Sequence, residues 1–261
     1  CQCVRHGDTV GRTGGDEMIV PIYGEQCVEI GACCLPHDAD INHDWKIDLP
    51  DELTRMIQFY NLRAYHCHAG SEDGYDPGAG STYCATHDTD QNGDWKIQLS
   101  PELTRIIQFY NTGGYHCMTG TEDGYAPGLA AVKASPTKGT MTAVRTFSPT
   151  RYTSGSTVDV TVTLTHTSPS SISALALEET IPTGWTFQSI VSTPAPPIAP
   201  VVGASGTLGF AWLTVPTTWP LVFTYQVNVP ADQVGIEYFA GNASFRELGP
   251  SIPVAIPETG I

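Results

Sequence analysis

"HDTDQNGDWKIQLSPELTRIIQFYN" fills residues 87–111, and "HDADINHDWKIDLPDELTRMIQFYN" fills residues 37–61. The wider segments 34–78 and 84–128 align without a gap, and about two-thirds of the positions from His37 and His87 onward are identical. Each copy joins an acid-rich loop to an apolar stripe. Leu53, Met56, Ile57 and Tyr60, and likewise Leu103, Ile106, Ile107 and Tyr110, recur at helical spacing. Ser100 is a capping residue, Pro101 suits a first turn, and Glu102 favours the positive end of a helix. The stripes predict two helices packed on each other, with Trp45 and Trp95 packing beside the loops.

The loop ahead of each helix alternates oxygen-bearing residues. In the first copy these are Asp40, Asn42, Asp44, the Lys46 carbonyl and Asp48; in the second they are Asp90, Asn92, Asp94, the Lys96 carbonyl and Gln98. A tight loop turns every second residue inward, so hard oxygens converge on a hard cation, and calcium accepts six to eight of them in loose geometry. The final ligand falls on Glu52 and Glu102, with Asp51 an alternative in the first copy. This pattern resembles the dockerin-type and EF-hand-like calcium repeats of secreted bacterial proteins. The resemblance implies two bound Ca2+ ions. It departs from those repeats at the sixth position, where Trp45 and Trp95 replace glycine, and at the twelfth of the second copy, which is Pro101.

Eight cysteines, all before residue 118, point to a disulfide framework and so to a secreted chain. Repetition makes Cys34–Cys67 and Cys84–Cys117 the simplest bridges, with a crossed Cys67–Cys84 pair as the alternative. Cys1, Cys3, Cys27 and Cys33 would close the N-terminal segment, and Cys1 is also a candidate for lipidation. A competing reading takes Cys34, His37, His66 and Cys67, with Cys84, His87, His116 and Cys117, as zinc ligands. "GSEDGYDPG" (70–78) and "GTEDGYAPG" (120–128) read as solvated turns.

Beyond residue 128 the period changes. "STVDVTVTLTHT" alternates Val158, Val160, Val162 and Leu164 with polar residues, which predicts a half-buried strand. Similar short runs continue to the end, as in an immunoglobulin-like sandwich. The expected fold is therefore multidomain: a Cys-containing segment (1–33), a small α-rich disulfide-linked tandem repeat (34–128), a linker (129–140) and an all-β sandwich (141–261). Glu178 and Glu179 are adjacent on a strand and face opposite ways, which makes them poor acid–base partners.

The net charge of −15 argues against nucleic acid or an anionic membrane as partner, and no apolar run is long enough for a membrane span. No nucleophile elbow, zinc-protease or phosphate-loop motif is present, so no catalytic residue is assigned and the expectation is not an enzyme. The expected function is an extracellular calcium-binding structural protein that self-assembles into a surface or fibre polymer. The alternative is an attachment module that binds another surface protein or a glycan. "EMIVPIYG" (17–24) and "SIPVAIPE" (251–258) are the segments expected to add as edge strands to a neighbouring copy.

Overall fold

The computed structural model describes residues 35–129, 139–167, 172–193, 195–247 and 251–261. Cys1, Cys3, Cys27, Cys33, Cys34 and the segment 17–24 lie outside the described residues.

Each repeat unit is a loop, a wide helical turn, a short helix and a hairpin. Helix α1 spans Thr54–Leu62 and is followed by β1 (Tyr65–Cys67) and β2 (Tyr75–Pro77). Helix α2 spans Thr104–Asn111 and is followed by β3 (Tyr115–Cys117) and β4 (Tyr125–Pro127). The α-rich expectation is thus corrected: the helices have 9 and 8 residues, and the described chain is mainly β. Helix α1 stops where Arg63 turns left-handed at φ 55°, and α2 stops ahead of Gly113 and Gly114 at φ 72° and 142°. Left-handed residues end helices by turning the chain away from the helix axis. Leu53, Met56, Phe59, Leu103, Ile106, Ile107 and Phe109 are fully buried between the two units.

The remaining eight strands are β5 (Thr140–Ser148), β6 (Thr157–Thr167), β7 (Ala174–Thr180), β8 (Thr186–Ile190), β9 (Thr207–Trp212), β10 (Leu221–Asn228), β11 (Tyr238–Arg246) and β12 (Ile252–Gly260). They form two four-stranded antiparallel sheets, ordered β5-β6-β10-β8 and β12-β11-β7-β9. This is the sandwich that the alternation predicts. The inward valines of β6 meet Trp185, Phe210, Phe223 and Tyr225 in its core.

Strand β7 is buried on both faces. Leu175, Leu177 and Glu179 face the sandwich core, while Ala174 and Ala176 join the core of the repeat units, together with Ile198 and Ala211. These alanines give α2 a shallow seat on the outer face of the second sheet. Polar bonds fix it there. Gln108 Nε2 donates to the Glu247 carbonyl at 2.7 Å and to Ser173 Oγ at 3.2 Å, and Asn111 Nδ2 donates to the Ser173 carbonyl at 2.9 Å. The buried Arg246 donates to Glu122, to the Pro101 carbonyl at 2.8 Å and to Thr104 Oγ1 at 3.3 Å.

The segment expected to pair with a neighbour, 251–258, lies instead in β12 and pairs with β11 of its own sheet. It is an edge strand carrying Pro253 and Pro257, which have no N–H to offer an added strand. On the opposite edge of this sheet Ile198 bridges Ala211 of β9, and at the β8 edge of the other sheet Gly203 and Ala204 bond to Phe187. Edges capped in this way resist strand addition.

Candidate functional site: two cross-braced acidic loops

In the first loop, Asp40 is buried and accepts backbone N–H groups from Asp44 (3.1 Å) and Trp45 (2.8 Å). Asn42 Oδ1 accepts from Asp44 at 2.9 Å, and Asp44 Oδ1 accepts from Lys46 at 3.0 Å. Glu52 folds back from the helical turn and accepts from Asn42 (3.3 Å) and Asp48 (2.8 Å). The second loop repeats the scheme. Asp90 accepts from Gly93 (2.7 Å), Asp94 (3.2 Å) and Trp95 (2.8 Å), and Glu102 accepts from Gln91 (3.1 Å) and Gln98 (2.7 Å). Gln98 also bridges Asn92 and Asp94 through its side-chain amide. The loops therefore gather Asp40, Asn42, Asp44 and Glu52 on one winding, and Asp90, Asn92, Asp94 and Glu102 on another. Asp51 is exposed on the helical turn.

Each loop is completed by the other unit. Tyr115 O–H donates to Asp40 at 2.6 Å and accepts the His37 N–H at 2.9 Å. Tyr65 does the same for Asp90 at 2.7 Å and for His87 at 3.1 Å. Trp45 and Trp95 take left-handed φ values of 65° and 64°, which a bulky residue rarely adopts. That conformation turns each carbonyl to the opposite hairpin, where the Tyr115 and Tyr65 N–H groups donate at 3.1 and 3.3 Å. The indoles rest on the same tyrosines, with ring centroids 5.3 and 5.1 Å apart. Tryptophan thus stands at the glycine position because the partner unit overdetermines its conformation. Between the loops, Asp38 and Asp88 each accept the other's backbone N–H, at 3.0 and 3.2 Å.

Burial shapes the electrostatics. Desolvation pushes Glu102 up to about 7, against backbone N–H groups that pull it down. Glu52 rises for the same reason. His37 and His87 are pushed down to about 4 by burial, opposed by the charges of Asp88 and Asp73 respectively.

The "GxEDGYxPG" turns do more than sequence reading assigned. Arg55 grips Asp73 through two nitrogens, both at 2.9 Å, and Arg105 grips Asp123 at 2.7 and 2.8 Å. Each guanidinium also lies over a ring of its own helix, Phe59 or Phe109. The recurrence of Arg and Asp with the same separation in both copies was the available signal.

The zinc reading is not supported. His37 Nδ1 accepts the Ala39 N–H and His87 Nδ1 accepts the Thr89 N–H, each at 3.0 Å, so the ring proton sits on Nε2 and leaves no free metal-donor nitrogen. Cys67 and Cys84 are joined in the crossed disulfide, with Cα atoms 5.9 Å apart, so the Cys34–Cys67 and Cys84–Cys117 scheme fails. Strand β1 ends beside the start of the second unit, which brings these sulfurs together. Cys117 is also disulfide-bonded.

No protein-family model matches the chain, and no curated protein matches it. Among solved structures, the full-length major pilin SpaD of Corynebacterium diphtheriae aligns at 11% identity and TM-score 0.35, over 46% of this chain and 34% of the pilin. A collagen-binding domain from a Staphylococcus aureus adhesin aligns at 11% identity and TM-score 0.25, over 49% of this chain and 99% of that domain. The collagen-binding subdomain of the Enterococcus faecalis surface protein ACE aligns at 5% identity and TM-score 0.24, over 46% of this chain and 92% of that subdomain.

The resemblance to dockerin-type and EF-hand-like repeats is corrected. Among the described residues no three His, Cys, Asp or Glu side chains form a group that could hold a metal ion. Each unit has one short helix followed by a hairpin.

Proposed function

We propose that this chain is an extracellular structural subunit of a surface assembly, built to hold a fixed shape. The observation that carries the reading is the joint between α2 and the second sheet, where Arg246, Gln108 and Asn111 lock the repeat units to the sandwich. A disulfide and two reciprocal loop braces stiffen the repeat units themselves. Disulfides persist in oxidising surroundings, which supports an extracellular location.

Calcium is proposed as a brace that would draw the two loops in around it, since no three His, Cys, Asp or Glu side chains are already gathered for a metal among the described residues. Asp40, Glu52, Asp90 and Glu102 are buried, and no ion pair to them occurs among the described residues. Carboxylate, amide and main-chain oxygens together suit a hard cation. The groups that would hold it are Asp40, Asn42, Asp44, the Lys46 carbonyl, Asp48 and Glu52, with Asp90, Asn92, Asp94, the Lys96 carbonyl, Gln98 and Glu102 in the second loop. Light scattering and thermal melting of the full chain test both statements. In calcium, particles larger than a monomer are expected, together with a melting point that falls on chelation. A monodisperse monomer refutes assembly, and identical melting with and without chelator refutes the cations.

A further inference from the structure

The two repeat units are related by a pseudo-twofold, visible in the exchanged Tyr115–Asp40 and Tyr65–Asp90 bonds and the mutual Asp38–Asp88 contacts. Among the described residues only the second unit seats its helix on the sandwich through this set of polar bonds, although Tyr60 of α1 also lies beside Gly209. In the second unit the docking set is Leu99 of the helical turn, Thr104, Arg105, Gln108 and Asn111 of α2, and Glu122 of the following hairpin. Fifty residues earlier the same six residue types recur as Leu49, Thr54, Arg55, Gln58, Asn61 and Glu72. Their environments differ sharply. Gln108 is 0% exposed, whereas Gln58 is exposed. Leu99 is 2% exposed beside Gly209, and Leu49 is 38% exposed. Leu62, at the end of the same helix, is 59% exposed.

The free face is also pre-organised. Arg55 is already pinned to Asp73 and to the Tyr75 carbonyl, as Arg105 is pinned to Asp123 and the Tyr125 carbonyl. Glu72 stands where Glu122 receives the Arg246 guanidinium. We propose that this outer face of α1 is a second docking surface for a β-sandwich, carried by another polypeptide, that presents an arginine and main-chain acceptors as β7 and β11 present them to α2. The occupant is not an intact second copy, because in each copy that sheet face is already covered by its own α2. The pseudo-twofold would set the two sandwiches on opposite sides of the repeat units and make those units a connector. This deepens the assembly reading, and rests on it only for the partner's belonging to the same surface structure.

A copy of the full chain with its own joint broken supplies the probe. Glu122→Arg places a cation against Arg246, and Gln108→Arg removes the bonds to Ser173 and the Glu247 carbonyl, so that the pair should expose the sheet face. Mixed with the wild-type chain, it should give a 1:1 complex by sedimentation velocity, and Gln58→Arg on the wild-type partner should weaken that complex at least about tenfold, as central interface positions do. No complex from a folded probe, or one indifferent to Gln58→Arg, overturns the proposal. A second variant guards against a probe that does not fold: residues 99–128 are replaced by the sequence of 49–78. A face competent to dock keeps one cooperative melting transition, and two separate transitions would overturn the inference. Either failure leaves the light-scattering result on the wild-type chain unaffected, so the two readings are tested apart.

Discussion

Arg145 is the residue whose removal should cost the sandwich most. Its side chain is fully buried on β5 and donates to both oxygens of Glu179, each at 2.8 Å. It also donates to the carbonyls of Phe239 (2.9 Å) and Pro257 (3.0 Å), which ties β5 to β11 and β12. Tyr225 adds a third bond to Glu179 at 3.0 Å. Arg145→Met keeps most of the volume and strands the carboxylate. Breaking a buried pair from one side costs about 3–5 kcal/mol, which for a cooperative unit of this size lowers the melting point by roughly 6–20 °C. The loss should depend on pH. Burial already holds the Glu179 carboxyl above its ordinary value, and the bonds from Arg145 oppose that rise. A carboxyl raised in the folded state favours folding below its unfolded pKa and loses that favour as pH climbs through the folded one. Without Arg145 the folded pKa rises further, so the deficit is larger near pH 8 than near pH 5, because falling pH favours protonation of the stranded carboxylate. Urea titrations at the two pH values read this directly. A deficit below about 1 kcal/mol at pH 8, or one equal at both pH values, refutes the reasoning.

Three further outcomes are expected. Tyr115→Phe removes a donor from Asp40 and an acceptor from His37, and should cost about 1–3 kcal/mol while speeding amide exchange at Trp45 in the other unit; unchanged exchange there would contradict the cross-bracing. Replacing Cys67 and Cys84 with serine opens a link across 17 positions and should cost about 3 kcal/mol by guanidinium unfolding, and a loss within error would show the bridge to be redundant. Folded His37 and His87 refuse protons until about pH 4, whereas the unfolded rings accept them below 6.5, so stability present above 6.5 falls as pH drops through that window. Asp38, pushed up to about 6 by burial and by Asp88, offsets part of the fall, and His37→Asn with His87→Asn should flatten the profile.

The local pattern was legible wherever a single segment decided it. The helix after each loop follows from the stripe Leu103, Ile106, Ile107, and β6 follows from its alternating valines. Glu178 and Glu179 do face apart: Glu179 enters the sandwich core beside Arg145, while Glu178 lies on the side of Tyr60 of α1. What escaped was decided by pairs distant in sequence. Arg145 and Glu179 are 34 residues apart, and Arg246 and Glu122 are 124 apart, so no window contains either pair. The crossed disulfide stood only as the alternative pairing, for a related reason. Reading each copy as self-contained pairs its own cysteines, whereas the units interlock and bring Cys67 to Cys84. The α-rich expectation failed because the period of each helix lasts only two turns, and the aromatic hairpins behind the helices carry no long alternation to announce them.

The exchanged tyrosines constrain how such a protein can change its length. A lone unit would leave Asp40 without its phenol and Trp45 in a left-handed turn with no hairpin to receive its carbonyl. The module that can be gained or lost is therefore the pair. A polypeptide carrying one unit would have to find its missing half in another molecule, as a symmetric dimer in which each chain lends its tyrosine to the other. Fusing two such chains end to end gives the arrangement seen here. Relatives of this architecture should carry these segments in even numbers.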